Sequence, residues 1–237
     1  MRFFDRISAF RAAVPVALVL LTSAPAPATA MTFSISEPAG GRRFVLAKGQ
    51  IVEGDADRLR VALKKADRDA FGHKTVALDS SGGSVGEAFA MVEIMDRERV
   101  STIVMPGAAC ASACAQILFL SGIHRIVAEG GRLGLHSCYD ARDRSRSMVC
   151  NELIAQNARS RGTPYESIMA FIHLSTPTQM RWLDAPDADC WGFTRRPPGS
   201  GSAGQRSHAT ACGIRTDDAR ASLTPPSDFG PRGSSRL

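Results

Sequence analysis

Two stretches near the start of the chain alternate apolar and polar residues with a period of two, residues 32–37 and residues 43–52. This period predicts β-strands. Over residues 56–70 the apolar positions recur every three or four residues instead, with charged residues between them, and this spacing predicts an amphipathic helix with Asp55 as its N-cap. The folded part of the chain is therefore expected to begin with two strands and a helix.

The alternation of strand and helix continues through residues 75–105. Residues 75–79 contain a continuous apolar run, which is typical of a strand buried on both faces. A helical pattern follows over residues 87–97, and a β-branched stretch over residues 101–105 predicts the next strand. This order predicts an α/β fold with a mostly parallel sheet. Right-handed crossovers in such a sheet bring the ends of successive strands to one edge.

Residues 113–120 are too apolar for a surface helix, and we expect them to form a buried one. After them the pattern predicts two short strands and two helices, followed by one last helical turn that begins near Met180. The predicted spans are 125–128 and 133–135 for the strands and 148–161 and 165–174 for the helices. A chain of 237 residues accommodates these elements in one domain of ordinary size, which we assign to residues 31–194.

The first thirty residues have the pattern of a secretory signal peptide. Three arginines precede a short apolar run, and the small residues Ala28, Thr29 and Ala30 form a cleavage site. We therefore expect the mature chain to begin at Met31 and to be periplasmic or secreted, with no membrane span left after cleavage. An uncleaved anchor is the alternative, although the run is shorter than the roughly 20 apolar residues that a span requires.

Residues 195–237 change to a composition rich in Pro, Gly, Ser and Arg without periodicity, and we expect a disordered tail there. The net charge of +6 also belongs to the ends of the chain. Three arginines and one aspartate in residues 1–30, with seven arginines and three aspartates in residues 195–237, account for the whole excess. The domain itself is neutral, so we do not expect a nucleic-acid partner.

Candidate chemistry lies around a run of small residues, GAACASACA at residues 107–115, in which Ser112 is the only hydroxyl. A glycine pair at residues 82–83 ends an earlier strand, and His136 ends a later apolar run. A glycine turn that presents backbone N–H groups, a hydroxyl and an imidazole base are the parts that acyl transfer requires. Each part also has a plain structural interpretation, because a serine among alanines permits close helix packing and a glycine pair permits a tight turn.

Over residues 44–193 the chain resembles the proteolytic subunit of the Clp protease and its relatives in the crotonase-like superfamily. It is most similar to exported bacterial Clp-like proteins, in which the serine lies among small residues between two cysteines. The spacing carries the resemblance, since 29 residues separate Gly83 from Ser112 and 24 separate Ser112 from His136. The resemblance implies a superhelix of repeated β-β-α units and a serine peptidase that hydrolyses peptide bonds in a peptide or protein substrate. Ser112 would be the nucleophile, His136 the base, and the N–H groups of Gly83 and Ala113 the oxyanion hole. By analogy we also expect a homo-oligomer without a cofactor or metal.

The chain departs from the family at the third member of the triad. Alignment places Met180 where the family has an aspartate, and a thioether cannot balance an imidazolium charge. Asp184, Asp187 and Asp189 lie close in sequence, and Asp184 is a possible third member, although Asp184 and Asp187 are also expected to cap or solvate the final helix. A dyad of Ser112 and His136 without a carboxylate is the alternative. The alternative function is a non-catalytic protein that keeps the fold to bind peptides or to act as a scaffold. Acyl-CoA chemistry, which also occurs in the superfamily, is disfavoured by the export signal.

Six cysteines in an exported chain are expected to form disulfides, because the compartments outside the cytoplasm are oxidising. Sequence alone leaves fifteen complete pairings open. Pairing of Cys138 with Cys150 would close a short loop after His136, and pairing of Cys110 with Cys114 would brace the turn that carries Ser112. No CxxC or HxxxH pair is present, so a zinc site is not predicted.

Overall fold

The computed structural model describes residues 29–140, 142–143, 145–199 and 212. The elements follow one another in the order β1 (Thr32–Ser36), β2 (Phe44–Lys48), α1 (Asp55–Leu63), β3 (Lys74–Asp79), α2 (Val85–Glu98), β4 (Val100–Val104), β5 (Ala109–Ala111), β6 (Arg125–Val127), β7 (Arg132–Leu135), α3 (Met148–Ser160), α4 (Tyr165–Leu174), β8 (Arg181–Leu183) and α5 (Ala185–Cys190). Between β5 and β6, a π-helical turn (Cys114–Leu118) runs into a 3₁₀ turn (Phe119–Ser121), and we call this pair the central helix.

A five-stranded sheet in the order β1-β2-β3-β4-β6 forms the centre of the part of the chain described. The pairs β2/β3, β3/β4 and β4/β6 are all parallel, and β1 alone is antiparallel to its neighbour. The α/β fold with a mostly parallel sheet, predicted from the alternation of strands and helices, is therefore confirmed. The strands run in one direction because each crossover passes through a helix or a long loop.

A second, three-stranded sheet in the order β5-β7-β8 continues from the first. Its β5 is parallel to β7, and an isolated bridge between Ser80 and Cys110 joins it to the end of β3. The strand β8 replaces the start of the helical turn that we predicted at Met180. It forms because Trp182 pairs with Gly134 of β7, and the last helix begins only after Asp184.

Two details of the first helix differ from the prediction. Gly54, with a left-handed φ of 85°, is the N-cap, and Asp55 is the first helical residue, where its buried carboxylate accepts the Val52 N–H over 2.7 Å. The helix ends at Leu63 rather than near residue 70. The ammonium group of Lys74 donates to the Leu63 carbonyl over 2.7 Å, which satisfies one of the acceptors left at a helix end.

The central helix is buried along its whole length, as its composition predicts. Helices α2 and α3 pack against it from outside, and α1 packs on α2. Small and apolar side chains of the central helix therefore form the middle of the core. Among the described residues, no helix is both long enough and apolar enough to cross a membrane.

Ordered contacts continue past the predicted domain boundary at residue 194. The backbone of Arg195 pairs with that of Arg125, and Cys212 forms a disulfide with Cys190. The guanidinium of Arg125 is buried and donates to three backbone carbonyls, among them that of Phe193, and burial lowers its pKa to about 10. The expected signal peptide, apart from residues 29 and 30, and most of the expected tail lie outside the described residues.

Candidate active site

Ser112 lies in a tight turn between β5 and the central helix. Its φ of 54° is in the left-handed region, which a serine adopts only when its surroundings impose it. Its N–H donates to the Gly134 carbonyl over 2.9 Å, and its own carbonyl accepts the Gln116 N–H over 2.8 Å. The disulfide between Cys110 and Cys114 encloses the turn from both sides. These bonds fix the direction in which the Ser112 hydroxyl leaves the backbone.

His136 comes directly after β7, the strand that pairs with β5. The parallel register of these strands places Ala111 opposite Gly134, so the residues that follow both strands emerge side by side. As a result the Nε2 atom of His136 lies 2.7 Å from the Oγ atom of Ser112. Both side chains are buried, with 5% of Ser112 and 6% of His136 exposed.

The second ring nitrogen of His136 fixes the tautomer. Its Nδ1 atom lies 2.8 Å from the backbone carbonyl of Ser137, which can only accept, so Nδ1 carries the proton and Nε2 presents a lone pair to the Ser112 hydroxyl. Burial lowers the pKa of His136, against the smaller raising effect of the Ser137 carbonyl. The imidazole is therefore neutral at pH 7 and oriented to accept a proton from Ser112.

Asp184, the possible third member, caps the last helix, which the sequence also predicted, and the partners of the His136 ring nitrogens are Ser112 and Ser137. The Asp184 carboxylate accepts the N–H of Asp187 over 3.0 Å and caps the exposed start of α5. Asp189 is also engaged elsewhere, since it accepts the Thr194 hydroxyl and pairs with Arg196. The group that accepts the Nδ1 proton of His136 is instead the neutral backbone carbonyl of Ser137. A pattern of side chains cannot predict such a backbone group.

The glycine turn lies against the serine turn, as the parallel topology predicts. A Cβ atom on Gly82 would come within 2.7 Å of the Cβ of Ser112 and within 2.9 Å of the Ala113 nitrogen. Gly83 pairs with Ile51 in a parallel bridge in which the bonding atoms are the Gly82 carbonyl and the Ser84 N–H. In such a bridge the N–H of the middle residue points away from the partner. That of Gly83 therefore faces away from Ile51.

The N–H groups of Gly83 and Ala113 donate no hydrogen bond to any described residue. The Ala113 group belongs to the first turn of the central helix, where backbone donors have no partner within the helix. Backbone N–H groups that have no partner among the described residues are the kind of donor from which an oxyanion hole is built. The structure thus brings Ser112, His136, Gly83 and Ala113 into one neighbourhood.

Two of the three disulfides are those that the sequence favoured. Cys110 pairs with Cys114, and Cys138 pairs with Cys150 just beyond His136. Together with the bond from Cys190 to Cys212 they leave no free cysteine in the described chain. The two disulfides near the site hold the backbone on either side of the Ser112 and His136 pair.

Gln116 is a residue of this site that the sequence did not reveal. Its Oε1 atom lies 3.4 Å from the His136 backbone N–H, and its Nε2 atom is buried without a partner among the described residues. The only sequence signal was a polar residue inside an otherwise apolar run. Gln116 supports the backbone that carries the imidazole, because its own position in the central helix is fixed by its bond to Ser112.

Comparison with solved structures finds a similar fold in Clp proteases. One is the ClpP protease catalytic domain from Plasmodium falciparum, at 18% sequence identity and a TM-score of 0.46, covering 61% of this chain and 78% of that one. Another is a ClpP1 variant from Listeria monocytogenes, at 18% identity and a TM-score of 0.48, covering 63% of this chain and 86% of that one. No protein-family model matches the chain, and no match was found among curated proteins. Since both TM-scores are below 0.5 and both identities are 18%, we conclude nothing about fold or activity from these two matches.

Proposed function

We propose that the protein is a serine peptidase that hydrolyses peptide bonds through an acyl-enzyme on Ser112. The observation that carries the proposal is the 2.7 Å contact between His136 Nε2 and Ser112 Oγ, with the tautomer set by the Ser137 carbonyl. A serine hydroxyl is a weak nucleophile until a base removes its proton, and a neutral imidazole in hydrogen-bond contact is such a base.

In the first half of the reaction, His136 Nε2 takes the Ser112 proton as Oγ forms a bond to the carbonyl carbon of the substrate. The carbonyl oxygen becomes an anion, which the N–H groups of Gly83 and Ala113 stabilise. The imidazolium then gives its proton to the amide nitrogen, the C–N bond breaks, and the amine product leaves. In the second half, water gives its proton to His136 and attacks the ester, and the acid product leaves as Ser112 regains its proton.

The Ser137 carbonyl supports this chemistry less strongly than a carboxylate would. It holds the imidazole in the required tautomer, but as a neutral acceptor it offers only its dipole to the imidazolium that forms. In the serine-protease template, replacing the carboxylate of the triad with an amide lowers kcat by about 10⁴ because the histidine takes the wrong tautomer. The Ser137 carbonyl keeps the right tautomer, so here only the loss of the negative charge slows the reaction. We therefore propose a slow peptidase, in which the serine, the histidine and the two N–H groups perform the chemistry.

Export and assembly are part of the same proposal. Every cysteine in the described chain is paired, which supports a periplasmic or secreted location, because disulfides persist in oxidising compartments. The substrate would then be a peptide or an unfolded protein segment in that compartment. Association of identical copies is proposed by analogy with the family that the sequence resembles.

The test is hydrolysis of a mixture of fluorogenic peptides by the mature chain from Met31 onward. Turnover is expected in wild type and none in Ser112→Ala. Turnover should be unchanged in Ser160→Ala, whose hydroxyl is exposed on α3 and donates to the Asn157 carbonyl, away from the site. Equal turnover in wild type and Ser112→Ala contradicts the proposal.

A second candidate function is a non-catalytic peptide-binding protein, which the lack of a carboxylate at His136 Nδ1 favours. Such a protein would bind the same peptides equally well in wild type and in Ser112→Ala, without release of product by either. Fluorescence anisotropy on the uncleaved peptides distinguishes this outcome from slow turnover, because only turnover lowers the anisotropy over time.

A further inference from the structure

A second cluster of titratable side chains lies at the N-terminal ends of the parallel strands, opposite the end that carries the Ser112 site. Asp69 is in the loop between α1 and β3, His73 directly precedes β3, and His124 directly precedes β6. The first residues of parallel strands share one edge, whereas the glycine turn follows the last residue of β3. Six residues of strand separate the two edges by roughly 20 Å, so this cluster takes no part in chemistry at Ser112.

Only one oxygen of the Asp69 carboxylate accepts a hydrogen bond from the described residues. Its Oδ1 atom accepts the N–H groups of Phe71 and His73, each over 2.8 Å. Its Oδ2 atom lies 4.0 Å from His73 Nδ1, too far for a hydrogen bond. That nitrogen is buried and has no partner among the described residues, in a side chain that is only 6% exposed. A buried and unpaired ring nitrogen beside a free carboxylate oxygen points to a missing partner.

The third side chain completes the donor set. His124 Nδ1 lies 3.4 Å from the Ser101 hydroxyl, which leaves Nε2 as its free ring nitrogen. The rings of His73 and His124 lie 5.0 Å apart between centroids, and the Phe71 ring lies against both. One ligand atom from each of Asp69, His73 and His124 lies within 4.8 Å of the other two.

We propose that Asp69, His73 and His124 bind a divalent transition-metal ion, with zinc as the best match. Two imidazole nitrogens, one carboxylate oxygen and one water make a four-coordinate donor set that zinc accepts. Each bond from zinc to a ligand atom is about 2.0–2.1 Å long, so two ligand atoms around zinc lie about 3.3 Å apart. The ligand atoms of Asp69, His73 and His124 lie within 4.8 Å of one another, so each separation must shrink by about 1.5 Å at most. The ion would link the loop before β3 to the loop before β6.

Arg99 gives the site a distinctive property. Its guanidinium lies 3.0 Å from His73 Nε2 and can only donate, so in the metal-free form Nε2 carries the lone pair and Nδ1 the proton. For a metal to bind at Nδ1, that proton moves to Nε2 and the exposed Arg99 side chain swings into solvent. Arg99 thus opposes metal binding in two ways. It stabilises the His73 tautomer that has its proton on Nδ1, and its positive charge repels the cation.

The test uses the untagged mature chain, stripped of metal with a chelator and titrated with zinc chloride in a calorimeter, with cobalt(II) absorption as a second readout. One equivalent of zinc is expected to bind. His73→Gln and His124→Gln should each weaken zinc binding by more than about tenfold, because removing a group that only supports a ligand already costs about that much and these variants remove a ligand itself. His173→Gln is the matched control, because that histidine is exposed on α4 away from the cluster.

Arg99→Asn tests the proposal with an expected gain in zinc affinity, which a variant that merely disrupts the fold would not produce. Asparagine tolerates the left-handed φ of 56° at this position and carries no charge, so zinc is expected to bind more tightly than in wild type. Absence of a zinc equivalent in both wild type and Arg99→Asn overturns the proposal. Equal binding in wild type, His73→Gln and His124→Gln also overturns it, because the ion is then held elsewhere.

Discussion

The N–H of Ser112 donates to the carbonyl of Gly134 over 2.9 Å, and this bond continues the β5/β7 ladder by one residue beyond β5. It ties the turn that carries the hydroxyl to the strand that delivers His136 two residues later. The separation of 24 residues between serine and histidine is therefore set by the length of the central helix, β6 and the return through β7. Substitutions that preserve the β5/β7 register should therefore preserve the contact between Ser112 and His136.

Gly83 is the position where a methyl group should be tolerated least. A Cβ there would lie 2.2 Å from the Ile51 carbonyl oxygen, and the φ of 145° disfavours any other residue. Gly83→Ala should unfold at a temperature several degrees below wild type and lose activity. Gly86→Ala is the control, because nothing lies within 4 Å of its Cβ and it is inside α2, where alanine stabilises by up to about 1 kcal/mol. Equal melting temperatures for the two variants would show that the turn can move.

The pH dependence follows from the buried imidazole. Burial lowers the pKa of His136 below the ordinary value of 6.5. Activity needs the neutral form, so the acid limb of kcat/KM should have its midpoint below 6.5. The unfolded chain takes up a proton at a higher pH than the folded chain, so His136 lowers stability as pH falls from about 6.5 to the folded pKa. Urea unfolding of wild type and His136→Gln over this range measures the difference, and parallel profiles would contradict the assignment.

Asp184 should affect stability and leave catalysis unchanged. Asp184→Ala removes the cap of α5 and should lower the free energy of unfolding by about 1 kcal/mol, whereas Asp184→Asn keeps a good capping residue. Both variants should retain kcat within about twofold, because the Ser137 carbonyl occupies the position beside His136. Loss of activity in Asp184→Asn as complete as in Ser112→Ala would restore Asp184 as the third member.

The disulfide between Cys110 and Cys114 should act on the rate through the conformation of Ser112. A left-handed residue costs about 1–2 kcal/mol, so release of the turn lets Ser112 relax and should lower the rate by about tenfold. The variant is Cys110→Ala/Cys114→Ala, and the control is Cys190→Ala/Cys212→Ala, which removes a disulfide that does not enclose the turn. Equal rates in both double variants would show that hydrogen bonds alone hold the serine.

The sheet and the buried central helix could be predicted because each depends on local periodicity, whereas the pairing of Ser112 with His136 was implied by the family spacing that the chain resembles. The sequence could not predict that the Ser137 carbonyl accepts the Nδ1 proton of His136, because every residue has a backbone carbonyl whatever its side chain. The helix after Asp55 ends earlier than its pattern predicts, and at its end Lys74 donates to the Leu63 carbonyl, a contact between residues eleven positions apart that periodicity does not encode.

The tail shows the same limit of pattern-based prediction. Composition correctly describes residues 195–237 as poor in apolar side chains, yet Cys212 is covalently joined to Cys190. Composition alone predicts that truncation after residue 196 leaves the fold intact, but this truncation removes the disulfide and leaves Cys190 as a free thiol. Likewise, residue spacing does not predict the cluster of Asp69, His73 and His124, because His124 precedes β6 and is far in sequence from the other two, which precede β3.

Covalent labelling by a fluorophosphonate probe tests the central claim most directly, because the reaction requires a serine activated by a base and an oxyanion hole but no knowledge of the substrate. Intact mass and peptide mapping should place one probe molecule on Ser112 of the mature chain. Labelling should be absent in Ser112→Ala and slowed by more than about a hundredfold in His136→Gln, within the range that acid–base catalysis contributes. Labelling of wild type no faster than His136→Gln, or at a residue other than Ser112, would contradict the account.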